Sequence, residues 1–504
     1  ADWWFRLMQT QLQVDVAITD IGRDKTGWNI HVAQKGSLAA PFPVSAMKDG
    51  KVLETKWFQP GEAVKFPNNY ADADAFVIDQ EHLILDVNRK NNQRRTAGTF
   101  PGIEPLRLRL NNLIQDPARN TVGIIPWVGW NNYDKTMLGL ALYNAVMPSQ
   151  RFQYVIAPGY GTASGALTGL VDLRYKLFPG GLFPKVTVGL SAKTFHYNYN
   201  AGFDYREKMM RVVPQVRLEL SDNSISFRHF VHFRTIFLDL EDGQVDASGF
   251  TGKEHVKTTI FETRYEAIQK RAPNPWQFKA AVENSPNYRS IFGEKAPYVR
   301  GSLEWRQEFY YQRTRRISAR FFAGAFLKNT QRNRTVEPNA FSLNPQGFND
   351  YNFDQVFFAR NALGGTFAHQ VSQTEGGFKG AFGSPFASLI GNSNNYLLAV
   401  NLKADLPQRL PFGIHLRPYF DLGYFDDATV IGQDRPRSEQ LLWSGGLILE
   451  FFKGGFEFYL PIVSAKPLKD RYAEQRDGNY LRNITWSIRI PFREPGEAVD
   501  YFLR

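Results

Sequence analysis

The sequence predicts an all-β protein, in which a transmembrane antiparallel β-barrel of about 16 strands follows an amino-terminal immunoglobulin-like β-sandwich. Three observations carry this reading. They are a strand-period alternation too long for an ordinary soluble sheet, its recurrence from residue 121 to 492, and connections whose lengths separate by parity.

The alternation is clearest from Tyr298 to Lys328, read as two strands around the turn Arg313-Thr314-Arg315-Arg316. On the first strand Val299, Gly301, Leu303, Trp305, Phe309 and Tyr311 point one way, and Arg300, Ser302, Glu304, Arg306 and Glu308 the other. The second strand places Ile317, Ala319, Phe321, Ala323, Ala325 and Leu327 opposite Ser318, Arg320 and Lys328, although Phe322 and Phe326 share the polar face. About 13 residues at roughly 3.3 Å each reach about 40 Å, enough for a tilted strand to cross a bilayer core of roughly 30 Å.

About sixteen such runs lie between residues 121 and 492, an even number, as single-chain bacterial barrels require. Working back from the last run, one set of connections is short (146–150, 178–184, 221–223, 270–275, 313–316, 406–411, 453–455), while the other set includes 241–255, 284–297, 426–440 and 463–481. Short turns face the periplasm in such barrels. The protein is therefore expected in a bacterial outer membrane, with residues 1–100 a periplasmic sandwich, 101–120 a connector, 121–492 the barrel and 493–504 a tail. Parity makes 331–394 a large outer loop that acts as lid or plug. The last strand puts Trp486, Ile488, Ile490 and Phe492 on one face and resembles the assembly signal of outer-membrane barrels.

Composition bounds the alternatives. The 504 residues are 43% hydrophobic and 14% aromatic, too apolar for disorder, yet no apolar run approaches the 18 residues of a membrane helix. Cysteine is absent, which removes thiol catalysis, thiolate metal sites and disulfides. The net charge of +11 is spread singly along strands, often beside Glu or Asp, so a nucleic-acid partner is not expected. The chain starts at Ala1 without a leader-like segment, and a signal or preceding domain is expected to have been removed.

Short alternating runs at Gln11–Asp20 and Trp28–Ala33, and a hairpin around Lys48-Asp49-Gly50-Lys51, predict the sandwich. Asp2-Trp3-Trp4-Phe5 reads as the tail of something cut away. In the connector, Ile103, Leu106, Leu110, Leu113 and Ile114 fit one helical face; Leu106, Leu108 and Leu110 also fit a strand, and a short surface helix is the expectation. Gly376 to Gly383 lacks the Gly-Lys-Ser/Thr of a phosphate loop and reads as a flexible loop. No H-E-x-x-H occurs, and His229 and His232 fall on opposite faces of one strand, so they cannot share a metal.

The lumen is expected to be lined by Arg228, Arg234, Glu262, Arg264, Lys279, Arg300, Glu304, Arg306, Glu308 and Arg320. Pairs such as Glu262 with Arg264, and Glu304 with Arg306, read as an ion-pair network, with substrate guidance the sharper alternative. No catalytic or metal residue is expected in this chain.

Gly27-Trp-Asn-Ile-His-Val-Ala-Gln-Lys-Gly-Ser-Leu-Ala-Ala-Pro-Phe-Pro-Val-Ser45, Phe76-Val-Ile-Asp79 with Asn88-Arg-Lys-Asn-Asn92, and Ile125-Pro-Trp-Val-Gly-Trp-Asn-Asn-Tyr-Asp134 resemble the carboxyl-terminal half of large Bacteroidetes gluzincin metallopeptidases of the aminopeptidase N type. The resemblance is best over residues 1 to about 180. It implies a barrel that anchors or presents a gluzincin-like metallopeptidase portion, with zinc only in a peptidase domain preceding this chain. That family's H-E-x-x-H, downstream Glu and Tyr cannot be placed on any residue here. Expected partners are outer-membrane lipids, a cleaved amino-terminal peptidase domain and a larger outer-membrane complex. The alternatives are a transport or assembly barrel with no peptidase role, and a soluble all-β binding protein.

Overall fold

The computed structural model describes residues 12–102, 106–116, 119–147, 149–222, 224, 226–246, 249–271, 274–291, 293–313, 315–331, 337–362, 364–380, 382, 390–407, 414–426, 437–476 and 479–489. Asp2 to Phe5, Ile490 and Phe492 lie outside them. The chain forms two compact units, residues 1–125 with 142–150, and 126–141 with 151–504.

The first unit carries β1 (Val16–Arg23), β2 (Gly27–Gln34), β3 (Phe42–Lys48), β4 (Lys51–Phe58), β5 (Val64–Pro67), β6 (Ala75–Ile78) and β7 (Gln93–Arg95). They form a three-stranded sheet β1-β2-β5 and a four-stranded sheet β4-β3-β6-β7. Val16, Ile30 and Phe66 of the first share one apolar cluster with Phe42, Val44 and Phe76 of the second. Asp49 and Gly50, both at positive φ, make the β3–β4 turn, the backbone that a two-residue hairpin needs.

The connector is a strand and not the helix expected from its leucines. β8 (Arg107–Leu110) pairs in parallel with β9 (Thr121–Asn131), Leu108 opposite Val122. The spacing of Leu106, Leu108 and Leu110 serves a strand once a neighbour supplies the ladder, and that neighbour is not local.

The second unit continues with β10 (Lys135–Tyr143), β11 (Phe152–Gly161), β12 (Leu167–Leu177), β13 (Lys185–Asn200), β14 (Tyr205–Leu220), β15 (Phe227–Asp246), β16 (Gly249–Gln269), β17 (Trp276–Ser285), β18 (Tyr298–Gln312) and β19 (Arg315–Asn329). Two-residue β20 (Phe341–Ser342) and β21 (Asn392–Ser393) pair inside the long connection. Then come β22 (Tyr396–Ala404), β23 (His415–Phe425), β24 (Leu441–Phe451), β25 (Phe456–Ser464) and β26 (Thr485–Ile488). Among the described residues one sheet holds seventeen strands, in the order β10 through β19, β22 through β26, then β8 and β9, which is the order of a barrel. Each of the sixteen alternating runs contributes one strand, and β8 is the seventeenth.

Side chains alternate as the period demands. On β18 and β19, Leu303 (51% exposed), Phe309 (48%), Phe321 (47%) and Leu327 (69%) face away from the sheet's interior. Trp276 stacks on Trp305 at 4.7 Å near the short-turn rim, and Tyr396 lies 6.2 Å from Tyr424 near the opposite rim. Aromatics at both rims of an apolar band are what bilayer interfaces favour.

Two connections differ from expectation. Residues 241–246 and 249–255 extend the β15–β16 ladder: the pairing runs on, with a shift between Gln244 and Val245, to Asp246 opposite Gly249, beside a Lys253–Glu241 ion pair at 2.7 Å and a Tyr205–Phe250 stack at 4.5 Å. Cross-strand contacts carry strand structure through a polar sequence that has no alternation of its own. Residues 463–481 hold a helix, Lys466–Arg476, whose Leu468 and Tyr472 are buried.

Candidate functional site

The interior of the second unit is filled from one rim by the connection between β19 and β22. Phe341, Leu343, Tyr351, Phe353, Phe378 and Phe382 from this connection form one apolar cluster with Met209, Ile236, Tyr298, Phe322, Phe326, Leu397 and Phe425 from the strands. This accounts for Phe322 and Phe326 on an otherwise polar face: their rings lie 6.1 and 5.3 Å from Phe341. Gly324 lets Phe341 lie against the wall, since a Cβ there would fall 2.4 Å from the ring.

Charges fix the connection on either side of that cluster. Asp354 receives Arg211 Nη2 at 2.5 Å and both Arg234 terminal nitrogens at 2.8 and 2.6 Å. Arg234 also donates bidentately to Glu262 at 2.9 and 2.7 Å, and Arg264 sits 2.9 Å from the same carboxylate. A planar fork between two carboxylates is a geometry that arginine satisfies and lysine does not. Burial alone would raise the Asp354 carboxyl, but Arg234 and Arg211 hold it well below the ordinary carboxylate range.

A second anchor lies at Glu375, which accepts from Arg300 Nη2 at 3.1 Å and from the Ser342 N–H at 2.9 Å. Burial raises its carboxyl against the pull of Arg300. Arg300 also donates to Asn339 O at 2.8 Å and lies over the rings of Phe341 and Tyr351. Tyr298 and Tyr351 both donate to Glu283 at 2.5 Å. Farther along, Lys379 meets Asp421 at 2.6 Å, and Phe378 N–H donates to Leu343 O at 2.8 Å. The described part of Gly376 to Gly383 is thus pinned and buried, not a flexible loop. Its glycines permit close approach, as at Gly376, where a Cβ would fall 2.3 Å from the Leu343 backbone.

Between this connection and the short-turn side lies a cavity of about 450 Å³. Of the ten residues expected in the lumen, Arg234, Glu262, Arg264, Lys279, Arg300, Glu304 and Arg306 line it. Arg320 points inward but is buried in a chain of partners, donating to Glu304 at 2.6 Å and to Asn401 at 2.8 Å. Arg228 and Glu308 are not in the cavity wall; they pair with Glu219 and Arg316, at 2.9 and 2.7 Å. Both stand within three or four residues of a strand end, where the short-turn rim replaces the lumen. His232 lines the cavity and bonds Gln215 at 2.9 Å, while His229 joins Tyr265 and Phe227 in an aromatic group.

Trp486 and Ile488 lie on β26, and the Trp486 ring packs on Phe456 and on Phe358 of the long connection. Among the described residues no group of three His, Asp or Glu could hold a metal ion, and no helix is long and apolar enough to cross a membrane.

Sequence reasoning missed Arg211, Glu283, Asp354 and Glu375. Arg211 and Glu283 were within reach, since each keeps step with inward neighbours on its own strand. Asp354 and Glu375 carry no local signal, because their partners stand 120 and 75 positions away.

Neither a family model nor a curated protein matches the chain. Among solved structures it is similar to CdiB from Escherichia coli (14% identity, 68% of this chain and 59% of that one, TM-score 0.38). It is also similar to CdiB from Acinetobacter baumannii (10%, 68% and 56%, 0.35) and to BamA from Haemophilus ducreyi lacking POTRA domains 1–3 (11%, 69% and 68%, 0.37). The chain spans less than two thirds of either CdiB chain. These neighbours are outer-membrane β-barrels.

Proposed function

We propose that this chain is an outer-membrane β-barrel of the transport or assembly kind, whose lumen is occupied by its own connection between β19 and β22. The observation that carries this is the two-sided wall. Leucines and aromatics stand exposed on one face of β18 and β19, while the other face presents Arg300, Glu304, Arg306 and Arg320 to an interior that pairs them. Water would leave the first face unsatisfied, and a bilayer would bury it. The wall, antiparallel except where β8 meets β9, is a closed cylinder in this reading, since closure leaves no strand edge in lipid. The short connections lie on the periplasmic side, and the first unit is a periplasmic immunoglobulin-like sandwich.

A peptidase-anchoring role rests on the resemblance of residues 1 to about 180 alone. The plugged lumen favours transport or assembly, because a barrel serving only as an anchor does not require its largest connection to be ion-paired into the pore.

Refolding the urea-unfolded chain into phosphatidylcholine vesicles tests the proposal. The expected product floats with the lipid and migrates differently on a denaturing gel before and after boiling. A chain that stays monodisperse without detergent and ignores the vesicles contradicts it.

A further inference from the structure

One row across the cavity wall carries Arg217 on β14, His232 on β15, Arg264 on β16, Ala281 on β17 and Ser302 on β18, each opposite the next in the ladder. All five line the cavity. The two arginines therefore stand two strands apart, about 10 Å, with an imidazole between them, and the row then drops to small side chains that leave space beside Arg264. The Arg217 guanidinium lies over the Phe230 ring at 3.9 Å, and Gln215 holds His232 at 2.9 Å. A guanidinium stacked on a ring keeps its N–H edge for another partner.

Charge is shared unevenly around this row. Arg211, Arg234, Arg264, Arg306 and Arg320 are paired with three carboxylates, those of Asp354, Glu262 and Glu304, which leaves a positive excess. Against the long connection the balance reverses, because Arg300 there meets both Glu283 and Glu375. Exposure separates the same groups. The side chains of Arg217 and Arg306 are each 34% exposed and that of Arg264 21%, whereas Arg211 and Arg234, which tie the connection, keep only 8%. Arg217 has Glu266 at 3.6 Å, longer than a hydrogen bond.

We propose that this face of the cavity binds a small phosphate-bearing anion between Arg217 and Arg264, over His232. This names a solute class for the transport reading above and rests on it. Forked N–H donors match the oxygens of a phosphate, and about 450 Å³ holds a small solute. The bound anion also offsets the positive excess that the wall carries.

Calorimetric titration of inorganic phosphate into the refolded full chain, in detergent at low salt, tests this. Saturable binding at a single site is expected, weakened about tenfold by Arg217→Gln and by Arg264→Gln, each of which removes charge-assisted hydrogen bonds. Arg316→Gln removes a cation that is paired with Glu308 outside the cavity wall, and should leave binding unchanged. A parallel titration with glycerol 3-phosphate separates two sources of the same chemistry: tighter binding of the ester assigns the site to phosphate esters, and tighter binding of the free ion assigns it to phosphate itself. The proposal is overturned if neither titrant binds, or if Arg316→Gln weakens binding as much as Arg264→Gln, since general surface charge would then be responsible. The gel shift of unboiled protein is read on the same samples. Loss of binding with the shift intact removes the anion site alone, and loss of the shift removes the barrel reading with it.

Discussion

Replacing residues 331–394 by a short linker is expected to convert a nearly closed barrel into an open pore, with single-channel conductance in planar bilayers rising roughly tenfold or more. A wall of this many strands leaves an aqueous channel unless something fills it. Here the filling is the connection itself, packed through Phe341, Leu343, Tyr351 and Phe378 and tied by Asp354, Glu375 and Lys379. The cavity beneath it, about 450 Å³, is the part of the lumen it leaves empty. Removal takes away both packing and ties, and the arginines left on the wall should bias the pore toward anions at low salt. An unchanged conductance would mean that something other than this connection blocks the channel.

The second large effect is expected from Arg234→Met. It leaves the buried Glu262 and the half-buried Asp354 without the guanidinium that bridges them. Breaking a buried pair by removing one partner costs about 3–5 kcal/mol, and the loss here should fall near the lower end because each carboxylate keeps a second arginine. Arg264 remains 2.9 Å from Glu262, and Arg211 remains 2.5 Å from Asp354. The shift in the urea midpoint and the rate of thermolysin cleavage within the long connection report the loss together. Combining Arg234→Met with Glu262→Gln and Asp354→Asn removes the stranded charges and should recover most of it. A triple variant as unstable as the single one would show that packing by the arginine stem, not charge balance, was lost.

The wall was legible because its signal is local. In β18, Leu303, Glu304, Trp305 and Arg306 declare their faces by alternation, and seven lumen residues were found that way. The plug was legible only as a length and a parity. Its ties join Arg211 to Asp354 across 143 positions and Arg234 to Asp354 across 120, and no periodicity spans such distances. Phe322 and Phe326 were the one trace of it, as aromatics on a face that should have been wet. The helix Lys466–Arg476 was missed although Ala465, Leu468 and Tyr472 recur at helical spacing, because a scan for period two passes over them. The β8 leucines fit either period, and only the neighbour β9 decides between them.

In the proposed barrel one face of the wall meets lipid and the other a charged, occupied lumen. Single cysteines at Ser302, Leu303, Glu304 and Trp305, each carrying a nitroxide in vesicle-inserted protein, test it by collision with oxygen and with a water-soluble nickel complex. Positions 303 and 305 are predicted to favour oxygen, and positions 302 and 304 to be shielded from it. Equal accessibility along all four, or oxygen reaching the charged face, would rule out a lipid-facing wall around a polar lumen.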